Sequence, residues 1–218
     1  MSKIKKERPL SSHTKLRYDE CYAKIVLQNI FPEQFCDLKL KDKPDLQSEE
    51  KSIGIEVTME KEQKTKEAER LYLQLLSCTD PSKRQRILGR IEQCGAKLEG
   101  GILRTQGKDN FDLINEAVQE KNKKLQGEYA LFQEYHLFIF SSIYADDSML
   151  QDELAHLQSI HVENFWKKIY ILVPGKLYCF TFEKATYEKF AITSNAQNQY
   201  ALQARRMVEE GERDDKTR

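Results

Sequence analysis

Apolar residues along this chain change their period several times, and each change marks an element. Over residues 15–30, "KLRYDECYAKIVLQNI", Leu16, Ala23, Leu27 and Ile30 recur at spacings that put them on one helical face, widened by Tyr22, Ile25 and Val26. Pro32 is expected to end this helix. Glu20 falls inside the Leu16–Ala23–Leu27 stripe, so its carboxylate is expected to point partly inward. The period then shortens to two. "FCDLKL" alternates weakly, "PDLQ" is brief, and "SIGIEVTM" alternates cleanly, with Ile53, Ile55 and Val57 facing one way and Gly54, Glu56 and Thr58 the other. Its β-branched content supports a strand.

A helical period returns between about 60 and 108 with a more charged texture. "EKEQKTKEAERLYLQLL" and "DPSKRQRILGRIEQCGAKLEGG" predict two helices split at Asp80–Pro81, packed as a hairpin by Leu71, Leu75, Ile87, Leu88 and Ile91. Gly95, Gly100, Gly101 and Gly107 predict a loop after them, so this stretch reads as an inserted helical arm. A further helix is expected over 110–128, with Asn110 as N-cap and Ile114, Val118 and Leu125 as its buried stripe. Lys121 lies within that stripe, an inward position that is costly unless a carboxylate or phosphate neutralises it. Four consecutive apolar residues, Leu137–Phe140, predict a central strand covered on both faces. "DDSMLQDELAHLQSIHVENFW" gives a helix near 148–160, and "KKIYILVPGKLYCFTF" a hairpin turning at Pro174–Gly175. The order predicts an α/β fold, a mixed sheet flanked by helices with a helical insertion. Residues 15–208 read as one domain, with flexible tails at 1–14 and 209–218.

Composition narrows the function. Lys plus Arg and Asp plus Glu both number 35, so an all-over basic coat for nucleic acid is excluded, while a local basic face is not. Five cysteines without a C-x-x-C pair read as free thiols. The basic N-terminus lacks an apolar signal core, and no apolar run nears the ~20 residues of a membrane span, so a cytoplasmic location is expected. The four histidines make no zinc pattern. There is no phosphate-binding glycine loop, nucleophile elbow or H-E-x-x-H helix. The basic run Lys83–Arg86 with Arg90 reads as a solvated helix face, and Trp166 with the C-terminal aromatics as core.

The unusual feature is Glu56, a carboxylate inside an apolar strand, with Asp45 following Pro44 on the preceding one. If the strands are neighbours, the two carboxylates converge and repel. They then need protons, cationic partners or a hard divalent ion such as Mg²⁺, with a carbonyl near Val57 as a further oxygen ligand. The same residues also fit plainer roles: Glu56 solvated on an edge strand, Asp45 in a turn, Lys121 snorkelling to water.

Pro44-Asp45, ten residues, then Glu56-Val57-Thr58 on a strand resembles the PD-(D/E)xK nuclease superfamily, with its restriction-endonuclease-like fold. The resemblance covers about residues 15–58 and 110–182 and leaves the arm outside it. It implies a metal-dependent endo- or exonuclease, a hydrolase using Mg²⁺ or Mn²⁺ on nucleic acid, DNA first. It implies Asp45 and Glu56 as metal ligands with the Val57 carbonyl, and Glu20 as the first-helix acid. The superfamily's lysine is replaced by Thr58. Members that move the lysine elsewhere point to Lys121, then Lys124 and Lys61, with Gln119 last. Two other readings stand beside this one: a catalytically inactive module of the same fold that binds nucleic acid or a protein partner, and a structural protein whose arms pair into a homodimer.

Overall fold

The structure, a computed structural model, describes residues 10, 14–60, 63–105, 110–128 and 131–216. Helix α1 (Tyr18–Ile30) turns Ala23, Val26 and Leu27 inward. Pro32 does end it, and also starts α2 (Pro32–Phe35), because a first helical position needs no N–H. Three strands follow as an antiparallel meander: β1 (Lys39–Leu40), β2 (Leu46–Gln47) and β3 (Ile53–Met59). The arm comprises α3 (Gln63–Ser77), α4 (Pro81–Gln93) and a small hairpin of β4 (Lys97–Glu99) and β5 (Ile102–Arg104). Then come α5 (Asp112–Glu128), β6 (Glu134–Phe140), α6 (Asp147–Ser159), a 3₁₀ turn at Val162–Asn164, β7 (Lys168–Val173), β8 (Lys176–Thr181), β9 (Thr186–Ala191) and α7 (Ser194–Lys216).

One sheet runs β1-β2-β3-β6-β7-β8-β9 among the described residues. β3, β6 and β7 are parallel and the flanking pairs antiparallel, so the sheet is mixed. Helices cover both faces. On one, Phe111, Ile114 and Val118 of α5 and its approach, with Leu150 and Leu157 of α6, pack on Leu137, Ile139, Ile169 and Ile171. On the other, α1 packs on Ile55, Val57, Phe138 and Tyr170. The all-apolar run of β6 is explained by this double cover: successive side chains enter opposite cores. Truncating a fully buried ring such as Phe138 to alanine is expected to cost about 3–5 kcal/mol.

Three regions depart from the sequence reading. The glycines after α4 do not simply open a loop: Gly100 and Gly101, both at positive φ (58° and 81°), turn the β4–β5 hairpin. The arm thereby gains its own small core of Ala68, Leu71, Leu75, Ile91 and Ala96. Residues 209–216, expected as a tail, continue α7, because Ala204 and Val208 seat that helix on Cys21 and Ile25 of α1. Strand β9 was unforeseen. Its exposed, charged sequence at the sheet edge carries no buried alternation. The N-terminal stretch expected as a tail lies largely outside the described residues. No helix among the described residues is long and apolar enough to cross a membrane.

Candidate active site

Gly54 begins the site. A Cβ there would stand 2.7 Å from Pro44 Cγ and 3.0 Å from Phe132 Cγ, so only glycine lets Pro44 lie flat against β3. That contact delivers Asp45 to the strand. The β2–β3 register pairs Leu46 with Ile55 and Gln47 with Gly54, and one further step sets Asp45 opposite Glu56. The Asp45 Oδ2 accepts a 2.8 Å hydrogen bond from the Val57 N–H. The expected convergence of the two carboxylates is therefore built into the backbone pairing.

Glu56 is 5% exposed. Lys121 reaches it from α5 and donates from Nζ to Oε1 at 2.5 Å. The costly inward lysine has found a buried carboxylate. The other oxygen, Oε2, is buried without a hydrogen-bond partner among the described residues. Asp45 adds strain to this pair. Burial, then the neighbouring Glu56 charge, push its carboxyl up to about 6, against the pull of the Val57 N–H, Lys121 and Arg17. Glu20, from α1, joins the same field: burial and then Asp45 push it up to about 7, while Arg17 pulls it back. Arg17 spans Glu20, at 3.3 Å, and Asp19.

Of the candidates, Asp45, Glu56, Lys121 and Glu20 share one electrostatic neighbourhood. Val57 enters through its N–H. Thr58 stands at the substituted lysine position, half-buried on β3. Lys124 points elsewhere, paired with Glu120 at 2.6 Å on the helix surface, and Gln119 is exposed. Lys61 lies outside the described residues. Glu60 was missed. It is 8% exposed, its Oε2 lacks a partner among the described residues, and its N–H continues the β3–β6 ladder to the Phe140 carbonyl at 2.9 Å. The period-two series Glu56, Thr58, Glu60 could have flagged it.

The fit to a metal rests on few groups. Among the described residues, no group of three or more His, Cys, Asp or Glu side chains is gathered to hold an ion alone. The donors that do converge are hard oxygens: Asp45, pushed up to about 6 by burial and then by the Glu56 charge, and the Oε2 of Glu56, without a hydrogen-bond partner among the described residues. That set suits Mg²⁺, which typically takes one or two carboxylates and fills its shell with water and substrate phosphate.

Elsewhere the plainer readings hold. Trp166 is core, its indole N–H donated to Asn122 Oδ1. In the basic run of α4, Arg84 donates to the Leu75 and Cys78 carbonyls, both at 2.8 Å, and so caps the end of α3. No family model, curated protein or solved structure matches the chain.

Proposed function

We propose that the protein is a divalent-metal-dependent phosphodiesterase of nucleic acid, DNA first, on a restriction-endonuclease-like fold. One observation carries this reading. Asp45, Glu56, Lys121 and Glu20, expected from the sequence and drawn from separate parts of the chain, come together around β3 of one mixed sheet. Scattered surface acids would not be gathered from separate elements, with two of them pushed up by burial and by one another, around a half-buried lysine.

Asp45 and Glu56 would hold Mg²⁺ or Mn²⁺, with the Val57 carbonyl as a further oxygen. When bound, such an ion polarises a phosphoryl oxygen and supplies hydroxide at neutral pH. The chain's own residues do the rest. The Val57 N–H fixes the Asp45 carboxylate, so its orientation does not depend on the ion. Lys121, on the apolar stripe of α5 and paired with Glu56, would supply the positive charge that the superfamily's strand lysine supplies. Leaving Glu56, it would meet the negative charge developing on the phosphate. Glu20, pushed up to about 7, can take or hold a proton near neutrality.

The test is cleavage of plasmid and oligonucleotide substrates with Mg²⁺ or Mn²⁺. Activity that is lost with EDTA and in Asp45→Ala and Glu56→Ala supports the reading. A second reading, a non-cutting module that binds nucleic acid or a protein partner, is favoured by the direct Lys121–Glu56 pair, which closes one of the two Glu56 oxygens. Such a module would bind DNA equally well in EDTA and cut nothing. Pairing of two chains through the arm would draw on Leu73 and Leu76, both 64% exposed on α3.

A further inference from the structure

The sheet has an open edge at the candidate site. Strand β2 pairs with β3 only at Leu46–Ile55 and Gln47–Gly54, so from Glu56 onward β3 has no strand on that side among the described residues. The Asp45 carboxylate takes that place, accepting the Val57 N–H that a strand would otherwise bond. Helices α1 and α5 cover opposite faces of the sheet, and at this edge charged groups from both sides meet around Asp45. Lys121 comes from the α5 side, and Arg17 from the α1 side.

As a cap, Arg17 does little for its own helix. It is the N-cap of α1, a position that favours Ser, Thr, Asp or Asn, and its side chain caps no N–H. A positive charge there also opposes the helix dipole. Its guanidinium turns instead to Asp19 and Glu20 of the first turn, the latter at 3.3 Å. Both acids are largely buried, with side chains 9% and 12% exposed, whereas the Arg17 side chain is 60% exposed. Lys121, at 14%, is shut in against Glu56. Of the two cations, Arg17 is therefore the one that faces solvent. Its charge reaches the open edge, where it acts on Asp45 after burial, Glu56, the Val57 N–H and Lys121. An arginine fork has five N–H donors, more than two carboxylate contacts use, so it can take a further anion while Asp19 keeps it in place.

We propose that Arg17 is a substrate-binding residue of this site: its guanidinium holds a nonbridging oxygen of the nucleic-acid phosphate seated at the open edge beside Asp45, with Asp19 as its positioning residue. The proposal rests on the phosphodiesterase reading above and names the cation that first meets the substrate. A planar fork matches phosphate oxygens, and a guanidinium already fixed by a buried carboxylate loses little freedom on binding. Lys121 reaches a phosphate only by leaving Glu56, so the hold on the bound substrate falls to Arg17.

The test uses the full chain and labelled oligonucleotides. Binding is read by fluorescence anisotropy in EDTA, and cleavage separately in Mg²⁺. Each phosphate of the strand is replaced in turn by an uncharged methylphosphonate. At one position the replacement should weaken binding to the parent roughly tenfold or more, as expected for losing a charge-assisted hydrogen bond. In Arg17→Ala that position should lose its effect while the others keep theirs, which is the coupling of a direct contact. Arg17→Ala should also lower the slope of log affinity against log salt by about one. Arg17→Lys, which keeps the charge but not the fork and spares the fold, should recover part of the affinity and most of the slope. Lys184→Ala, an equal loss of charge in the exposed β8–β9 turn, should leave the scan and the slope unchanged. An arginine that only neutralises Asp19 and Glu20 would leave the scan pattern of the parent intact in Arg17→Ala. That result overturns the proposal even if Mg²⁺-dependent cleavage is present, and so does a parent that binds no strand at low salt. A position silenced in Arg17→Ala, without any cleavage by the parent, upholds the phosphate contact and overturns the hydrolytic reading.

Discussion

Two carboxylates in this molecule, Glu56 on β3 and Glu153 on α6, are equally buried at 5% exposure, and each keeps one oxygen without a partner among the described residues. Their company differs. Glu153 sits among Leu150, Leu154 and Leu157 and is touched by the Asn115 amide at 3.4 Å. Burial pushes it up to about 7, the Asn115 hydrogen bond pulls down, and Asp112 adds a small push. A proton is enough to settle it. Glu56 instead faces a lysine, a second carboxylate across the strand pair and a third acid from α1. Glu56 shares its surroundings with charges of both signs brought in from other elements, which Glu153 does not. Burial of a charge is thus a poor marker of a site by itself; the gathering of several opposed and like charges from separate elements is the informative feature.

The comparison can be broken most forcefully by activity. Asp45→Ala and Glu56→Ala should each lower Mg²⁺-dependent cleavage by about 10³-fold or more, about 4 kcal/mol of transition-state stabilisation, while Glu153→Gln should stay within about twofold of the parent. Comparable losses at both places, measured as initial rates on one oligonucleotide, would remove the distinction.

Next in size is the ion pair. Lys121→Ala leaves Glu56 charged and alone in the interior, and should destabilise the fold by about 3–5 kcal/mol in denaturant titration. Lys124→Ala, from the exposed pair with Glu120, should change stability by less than about 0.5 kcal/mol.

Smaller effects sharpen the contrast through pH. The folded-state values of Asp45, Glu20 and Glu153 are all raised. Such groups bind protons more tightly folded than unfolded. Their contribution is fully present below about pH 4 and lost as pH rises through about 6 to 7. Metal-free protein should therefore melt at higher temperature at pH 5.5 than at pH 8, and the difference should shrink in Asp45→Asn and Glu153→Gln. Asp45→Asn and Glu153→Gln should each stabilise metal-free protein by about 1–3 kcal/mol at pH 8, with the gain shrinking toward pH 5. Mg²⁺ separates the two. It should stabilise the parent and Glu153→Gln alike but not Asp45→Asn, as shown by melting curves with and without the ion. Metal binding should also weaken as pH falls through about 6, where the proton on Asp45 competes with the ion.

Much of this was legible in the sequence because the site stands on strongly periodic elements. The alternation around Glu56 and the helical stripe that includes Lys121 each specify an inward direction, but that the two side chains pair with each other was not part of the sequence reading. The Pro44–Gly54 contact, which sets Asp45 opposite Glu56, was not legible, since no local pattern reveals which glycine faces which proline. Glu60 was passed over because it sits at the strand exit, where alternation normally ends. Strand β9 and helix α7 escaped for a different reason. Their apolar residues are sparse, and the helix is held by Ala204 and Val208 against α1, a contact between segments about 180 residues apart. The arm was visible as charged helices. Its hairpin was not, because paired glycines read equally as a loop.

The central claim is that Asp45 and Glu56 share one divalent cation, and crystals soaked in Mn²⁺ test it most directly. The account predicts an anomalous peak about 2.1 Å from a carboxylate oxygen of each residue, with the Lys121 ammonium drawn away from Glu56. Saturating Mn²⁺ that leaves no peak there, with Lys121 still bonded to Glu56, would contradict it.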